Sequence, residues 1–242
     1  MVKNFGIDLS YANRITDYSK LLTADFGGRR IKYAFLRIGY KNKIDARFAE
    51  HYAGLSGKIY IGVYLYSYAR SADEARAEAR WVLNQIKELK IDFPVVFDYE
   101  DSSLLTPKLS RAEYTDICKA FLDEIQAAGY YAMMYCNPNF LENYASRSEL
   151  LKYPLWLAHY VPEGKQAQYG QQVWQFGTFK PAGALGEIDA NFAYEQLGKV
   201  IRDGKLNVPK RGKITAVKEV FSWEIPDEKA RLKAQGYKVT TE

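Results

Sequence analysis

Histidine and cysteine are scarce in this sequence, and each scarcity narrows the chemistry open to the protein. The 242 residues include two histidines, His51 and His159, and two cysteines, Cys118 and Cys136. Two isolated histidines supply neither a metal site nor a nucleophile–histidine–acid triad, so we expect no metal and no cofactor and interpret both as structural. The cysteines lack metal-ligand spacing. We predict two buried free thiols, with a disulfide as the open alternative.

Long apolar runs and blocks of like charge are also missing. No stretch approaches the roughly 18 apolar residues of a membrane span, so we expect no membrane insertion. Residues 1–10 resemble a strand rather than the charged start and apolar segment of a signal peptide, which predicts synthesis in the cytoplasm without one. The net charge is +5 without a polybasic block, and this argues against nucleic acid as a partner.

Aromatic residues are abundant, and apolar segments recur along the chain. The sequence contains 20 Tyr, 12 Phe and 4 Trp. Strand-like runs alternate first with helix-like segments and later with short loops, which predicts an α/β fold: an irregular, flattened TIM-like β/α barrel whose late strands lack full helices. Two capping boxes, Ser71 with Glu74 and Ser110 with Glu113, predict helix starts. We place strands near Phe5–Leu9, Tyr33–Gly39, Ile59–Tyr66, Pro94–Tyr99, Tyr130–Cys136, Pro154–His159, Gln172–Phe176 and Glu187–Asp189, and a closing helix over Ala190–Arg202.

The last forty residues differ from the rest. We assign residues 1–202 to the barrel and residues 203–242 to a linker and a short C-terminal appendage with a strand-like and a helix-like segment. This tail holds nine Lys or Arg and six Asp or Glu, a charge of +3. Two interpretations stay open: part of a wall-binding module that favours anionic wall polymers, or an ordinary solvated surface packed on the barrel.

Carboxylates stand at the ends of predicted strands. The run Phe93–Asp101 places Asp98 and Glu100 on one face of a buried strand, since side chains alternate along a strand. Asp8 and Asp189 end the first and last predicted strands, which are neighbours in a closed barrel. Each single aspartate has turn capping as its alternative. Four acids at strand ends predict one catalytic mouth.

Ten segments together carry a resemblance: GIDLS (6–10), LRIGY (36–40), DARFAEHYAG (45–54), IGVYLYSYA (61–69), EARWVL (78–83), PVVFDYE (94–100), AGYYAMMYCN (128–137), PLWLAHY (154–160), VWQF (173–176) and GEIDANFAY (186–194). In order and spacing they resemble glycoside hydrolase family 25, the lysozyme (N-acetylmuramidase) family of phage endolysins and bacterial autolysins. The match spans Phe5 to about Tyr194. Two departures, Asn13–Tyr18 in the first loop and Leu65 where histidine is frequent, concern glycan subsites.

The resemblance implies a peptidoglycan hydrolase that cleaves the β-1,4 bond between N-acetylmuramic acid and N-acetylglucosamine. Its catalytic acids fall on Asp8, Asp98, Glu100 and Asp189, with Glu100 as the general acid and Asp98 assisting. The expected partner is the peptidoglycan glycan strand, reached after release by a holin-type or lysis-dependent route. We expect aromatic residues at or just past strand ends to bind the substrate: Tyr66, Tyr68, Tyr135, Trp156, Tyr160 and Trp174.

Three other interpretations fit the sequence less well. A chitinase-like enzyme of family 18 requires further acids where this chain has Phe93 and Val96, and a polysaccharide deacetylase requires histidine ligands. A non-catalytic glycan-binding protein on the same barrel has no reason to keep the whole acid set. Arg37 either pairs with an acid of the site or caps its strand.

Overall fold

The computed structural model describes residues 3–100, 109–208, 223 and 225–234. The chain divides into two compact units, Met1–Lys210 and Arg211–Glu242. In the second unit the structure describes one helix, Ile225–Ala234, within the predicted helix-like segment. The predicted strand-like segment before it lies outside the described residues, apart from Trp223.

Eleven strands lie in the described part of the first unit. They are β1 (Asn4–Leu9), β2 (Asp25–Phe26), β3 (Arg29–Arg30), β4 (Tyr33–Tyr40), β5 (Lys43–Ile44), β6 (Tyr60–Tyr66), β7 (Val95–Asp98), β8 (Ala132–Cys136), β9 (Leu155–Ala158), β10 (Val173–Phe179) and β11 (Ile188–Ala193). The order β1-β11-β10-β9-β8-β7-β6-β4 closes into a barrel because β1 also pairs with β4. The short strand β5 extends the sheet beyond β4, and β2 and β3 form a separate hairpin.

The predicted TIM-like barrel is confirmed, with one difference in strand direction. The neighbours from β1 through β4 to β10 run parallel, whereas β11 is antiparallel to both β1 and β10. A loop too short for a covering helix joins β10 to β11, so the chain turns back on itself. Asp189 therefore lies near the beginning of β11 and not at its end. The predicted helix over Ala190–Arg202 is wrong up to Gln196, because β11 runs to Ala193 and the helix begins at Leu197.

Several helices begin at the capping residues found in the sequence. Helices α1–α7 are Tyr18–Thr23, Phe48–Leu55, Ala72–Ile86, Arg111–Ala127, Pro138–Asn143, Arg147–Leu150 and Leu197–Asp203, and a 3₁₀ helix covers Lys165–Tyr169. Ser71 caps α3 and Ser110 forms a complete capping box with Glu113 on α4, as predicted. Asn137 caps α5, with Pro138 at the first helical position. Helix α8 is the Ile225–Ala234 helix of the second unit.

Two packed layers result from the alternation of side chains along the strands. One face of each strand packs under the helices in the outer cluster, which includes Phe5, Ile7, Val95 and Phe97. The other face fills the barrel with an inner cluster: Tyr33, Phe35, Tyr64, Phe93, Val96, Met133, Tyr135, Trp156, Val173, Ala193 and Leu197. Because this cluster fills the interior, polar side chains on the inner face are accommodated at the open end of the barrel.

Two other predictions concern the cysteines and membrane-spanning helices. Cys118 and Cys136 are buried free thiols, as predicted. Among the described residues, no helix is long and apolar enough to cross a membrane.

Candidate active site

Three of the predicted acids belong to the inner face of the barrel. On β1 the outer cluster takes Ile7 and Leu9, which leaves Asp8 pointing inward. On β7 Val96 belongs to the inner cluster, so Asp98, two residues later, also points inward. On β11 Asp189 shares the face of Ala193, four residues later, and lies directly opposite Asp8 in the antiparallel pairing. All three occupy the end of the barrel at which the parallel strands finish.

Asp8 is held by a network of amides. Its Oδ2 accepts hydrogen bonds from Asn191 Nδ2 at 2.8 Å and from Gln175 Nε2 at 3.0 Å. The oxygen of each amide is fixed in turn by an inner aromatic residue. Trp156 Nε1 donates to Asn191 Oδ1 at 2.7 Å, and the Tyr135 hydroxyl donates to Gln175 Oε1 at 3.0 Å. The position of this carboxyl is therefore fixed by four side chains from four strands.

Asp8 and Asp189 act as a pair. Burial and, after it, the neighbouring charge of Asp189 raise the pKa of Asp8 to about 8. The hydrogen bonds from Asn191 and Gln175 lower this pKa, but their effect is smaller. Burial also raises the pKa of Asp189, although hydrogen bonds from Tyr160 and from Asp8 oppose the increase. Two carboxyls this close cannot both ionise without a large electrostatic cost. The pair therefore holds one proton near neutral pH, which Asp8 donates to Asp189.

The Asp98 and Glu100 side chains reach the same mouth from the other side. Asp98 is the last residue of β7 and lies between Tyr66 of β6 and Tyr135 of β8 in the sheet register. Burial raises the pKa of Tyr135, and the charges of Glu100, Asp98 and Asp8 raise it further. The charge of Glu100 likewise contributes to the raised pKa of Asp8. The structure thus brings all four predicted acids together around one opening, the acidic mouth.

The predicted aromatic residues fall into three groups. Tyr160, which is exposed, donates to Asp189 Oδ1 at 3.2 Å, and Tyr66 and Tyr68 stand next to each other at the rim with ring centroids 5.3 Å apart. Tyr135 and Trp156 lie deeper and are buried, so they form the floor of the mouth and hold its amides.

Trp174 is not brought to the mouth. It is 3% exposed and lies in the outer cluster, where its ring packs against Phe176 and Phe192. Its indole Nε1 donates to the His159 carbonyl oxygen at 2.7 Å. The neighbouring Gln175 occupies the inner face, because successive side chains of a strand point to opposite sides. The structure gives Trp174 a packing role, and Gln175 supplies the contact to the acids.

Asn191 was missed by the sequence reasoning. The available signal was its spacing, since a residue two positions after Asp189 on a strand shares its face. Arg37, for which two interpretations were open, pairs with Asp45 and with none of the four acids, its Nε lying 2.6 Å from Asp45 Oδ2. His51 bridges Tyr18 and Ser10, as expected of a structural residue.

The described part of the chain contains no group of side chains suited to bind a metal ion. Within residues 3–100, 109–208, 223 and 225–234, no group of three or more His, Cys, Asp or Glu side chains is arranged to hold an ion. The chemistry available at the mouth is that of carboxyl groups at different protonation levels, flanked by amides and tyrosines.

Comparison with known proteins agrees with this geometry. The model of the family "Glycosyl hydrolases family 25" matches residues 7–182. No curated protein matches the chain in sequence. Three similar solved structures have TM-scores of 0.65–0.69.

The first of these is the modular autolysin LytC from Streptococcus pneumoniae, 24% identical with a TM-score of 0.69; the match covers 79% of this chain and 47% of that one. LytC has also been solved in complex with a synthetic peptidoglycan ligand. The bacterial lysozyme from Streptomyces coelicolor is 19% identical at a TM-score of 0.65, with 83% and 98% covered. The family 25 glycosyl hydrolase from Bacillus anthracis is 15% identical at 0.66, with 82% and 92% covered. This chain thus spans about half the length of LytC.

Proposed function

The chain belongs to glycosyl hydrolase family 25, and on this basis we propose that it hydrolyses peptidoglycan at the β-1,4 bond between N-acetylmuramic acid and N-acetylglucosamine. One observation carries the proposal above all others. Acids from the two ends of the barrel sequence and from its middle meet at one opening, close enough for their charges to act on one another and on Tyr135. Such an arrangement matches the demands of glycoside cleavage, which needs both a proton donor and negative charge beside the sugar.

Glu100 is the proposed general acid. It follows β7 by two residues, so it stands beyond the end of the strand, where a substrate in the mouth can reach it. Asp98 is buried, and Glu100 is more accessible to solvent. A general acid must touch the departing oxygen, whereas a charge-stabilising group acts from beneath the sugar ring. This division gives Glu100 the proton transfer and Asp98 the stabilisation of positive charge.

The Asp8–Asp189 pair tunes this chemistry. With one proton shared, the pair contributes one negative charge to the mouth where two separate carboxylates would contribute two. The single charge favours retention of a proton by Glu100 without fully repelling a substrate that carries carboxylates of its own. The amides of Gln175 and Asn191 fix the pair, so its orientation costs little when a sugar binds.

Peptidoglycan is the proposed substrate because of the family and of the aromatic lining. Tyr66 pairs with Asp98 in the sheet and contacts Tyr68, and Tyr160 donates to Asp189. Aromatic faces with polar edges suit sugar rings. The LytC autolysin, which shares the fold, binds a synthetic peptidoglycan ligand. Together these support the glycan strand of the wall as the partner of this site.

The proposal is tested with purified Gram-positive cell walls. We expect the wild-type protein to clear a wall suspension, and mass spectrometry of the products to find new reducing ends on N-acetylmuramic acid. Glu100→Gln should lower the clearing rate by about 10²–10⁴-fold, since a positioned general acid contributes a factor of that size.

The matched control is Glu187→Gln, which changes an exposed carboxyl that precedes β11 and accepts a hydrogen bond from Thr178 of β10. This variant should clear walls at the wild-type rate. Clearing by Glu100→Gln as fast as by wild type would remove Glu100 from its role. Reducing ends on N-acetylglucosamine would show a glucosaminidase, and binding without any cleavage would show a glycan-binding protein.

A further inference from the structure

An exposed tyrosine follows β1 at the end of the barrel where Asp8 lies. Tyr11 lies three residues after Asp8, in the loop that leaves β1, and is 58% exposed. A single exposed aromatic ring is normal on a protein surface. The surroundings of Tyr11 are what distinguish it, because both its ring and its backbone are fixed.

The ring of Tyr11 is held by a guanidinium. The Cζ atom of Arg37 lies 4.5 Å from the ring centroid, and Arg37 Nε is bonded to Asp45 Oδ2 at 2.6 Å. Asp45 is buried, so the ion pair is shielded from water and holds the guanidinium in place. A stacked guanidinium of this kind limits the rotation of the ring above it.

The backbone of the same loop is tied down at two further points. The amide of Tyr11 donates to Asp45 Oδ2 at 3.0 Å, so one carboxylate oxygen fixes both the loop and the guanidinium. The carbonyl oxygen of Ser10 accepts from His51 Nε2 at 3.1 Å, which leaves Nδ1 to accept from the Tyr18 hydroxyl at 2.8 Å. Burial lowers the pKa of His51, in agreement with a neutral ring.

A second tyrosine flanks the guanidinium. Arg37 pairs with Tyr64 in the sheet, whereas Gly39 pairs with Leu65, so one extra residue bulges out of β4. The bulge shifts the alternation, and Tyr40 consequently pairs with Tyr66 near the mouth. Its ring centroid lies 5.9 Å from Arg37 Cζ. Without the bulge, Arg37 and Tyr40 would point to opposite faces of the sheet.

We propose that Tyr11 and Tyr40, whose rings both contact Arg37, form a sugar-binding subsite at the end of the barrel that holds Asp8 and Asp189. The occupant is an N-acetylated sugar of the glycan strand, and the assignment rests on the proposed function. Its ring stacks on Tyr11. Arg37 donates a hydrogen bond to Asp45 through Nε. In the proposed subsite its terminal N–H groups are the donors to the acetamido or carboxylate oxygen of the sugar.

The fixed geometry is what makes the subsite effective. A ring that is already oriented loses little freedom when a sugar stacks on it, so most of the contact energy appears as affinity. Tyr11 touches a sugar beside the scissile bond and contacts no reacting atom. Its loss should therefore act on KM and leave kcat largely unchanged.

The experiment measures binding of a soluble tetrasaccharide of alternating N-acetylglucosamine and N-acetylmuramic acid to the Glu100→Gln protein by calorimetry. Tyr11→Ala should raise the Kd about 3–10-fold, as expected for one lost aromatic contact. Tyr11→Phe retains the ring and should bind within about twofold of the parent. In the active protein, Tyr11→Ala should raise KM by the same factor.

The matched control is Tyr60→Ala, because Tyr60 is also exposed but begins β6 at the opposite end of the barrel. It should leave Kd and KM unchanged, with melting temperatures recorded for every variant. Arg37→Lys should raise the Kd by a similar factor. The double variant with Tyr11→Ala should bind no more weakly than either single variant, since the two side chains act through one contact.

The outcomes distinguish a failure of the subsite from a failure of the proposed function. Unchanged binding by Tyr11→Ala, with an intact parent, overturns the subsite and leaves the proposed function standing. No tetrasaccharide binding by the Glu100→Gln parent, together with no wall hydrolysis by the wild type, overturns both. A change of kcat without a change of KM would also overturn the subsite, since it would place Tyr11 in the chemical step.

Discussion

Asp8 shows how burial and hydrogen bonding compete at a single carboxyl. Two amide donors favour its ionised form, yet its pKa is raised to about 8. The larger effects are the loss of water around it and the nearby charge of Asp189. A neutral amide donor cannot replace the hydration of a full charge in a closed site, so desolvation dominates.

This balance predicts how stability depends on pH. The folded state binds the Asp8 proton more tightly than the unfolded state, so its contribution to the free energy of unfolding is complete below the ordinary pKa of 3.8 and is lost as the pH rises through about 8. We expect the melting temperature of the wild type to fall between pH 5 and pH 8 on this account. In Asp8→Asn the fall should be smaller, because the amide cannot ionise and can still donate to Asp189.

Calorimetric melting across this pH range checks the prediction, and Asp73→Asn is the control. Asp73 is exposed and paired with Arg76 on α3, so its removal should leave the wild-type pH dependence in place. A pH dependence in Asp8→Asn as steep as that of the wild type would contradict a shared proton.

The four acids could be identified from the sequence, whereas several of their partners could not. Strand ends predicted Asp8 and Asp98, because a buried apolar run stops abruptly at an acid. Trp174 and Gln175 differ by one position, and the choice between them depends on which face of β10 looks inward. Both faces of a barrel strand are buried, so hydrophobicity alone does not reveal that parity.

At the scale of elements, β1 is built to let an aromatic ring approach its backbone. The Cβ of an alanine at Gly6 would lie 2.3 Å from Cζ of the Tyr33 ring. That ring has no space to retreat, since it is buried and stacks on Phe93 with centroids 4.5 Å apart. Glycine at this position thus allows the inner cluster to pack directly below Asp8.

Gly6→Ala should therefore destabilise the protein by about 1–3 kcal/mol, the usual cost of overpacking a full core. Urea unfolding provides the measurement. Gly204→Ala is a suitable control, because Gly204 has φ −75° and an added Cβ there meets no atom closer than 3.1 Å. It should change the free energy of unfolding by less than about 0.5 kcal/mol. Equal stability of Gly6→Ala and wild type would show that the ring relocates at no cost.

Element boundaries were predictable where local chemistry sets them and less so elsewhere. Ser71 and Ser110 begin helices because their side chains accept from backbone amides three residues later. The direction of β11 depends instead on how the loop from β10 folds back, which no local pattern encodes. Asp8 and Asp189 nevertheless meet at one rim, because Asp189 lies near the start of the reversed strand, opposite Asp8 near the end of β1.

For the whole molecule, the first unit contains the closed sheet and every residue of the acidic mouth. We expect a chain that ends at Lys210 to melt cooperatively, and to hydrolyse soluble glycan fragments at the full-length rate. Binding to intact walls should fall if the basic residues after position 202 attract anionic polymers, and should then fall with added salt in the full-length chain.

A pull-down on purified walls with and without their anionic polymers separates the two interpretations of the tail. Equal wall binding by the full-length and shortened chains would leave the tail without a role in attachment. Loss of cooperative melting in the shortened chain would instead show that the first unit depends on the residues removed.

The seam between β1 and β11 joins residues 4–8 to residues 189–193. During synthesis on the ribosome, β1 can pair early with β4, but β11, its neighbour on the other side, emerges only after almost the entire barrel. Contacts between such distant segments form slowly, because a long loop must close first. Asp8 also meets Asp189, Gln175 and Asn191 at this moment and no earlier. A nascent chain that stops short of the last strand therefore carries Asp8, Asp98 and Glu100 but lacks Asp189 and Asn191, so a truncated translation product should not cleave a glycan.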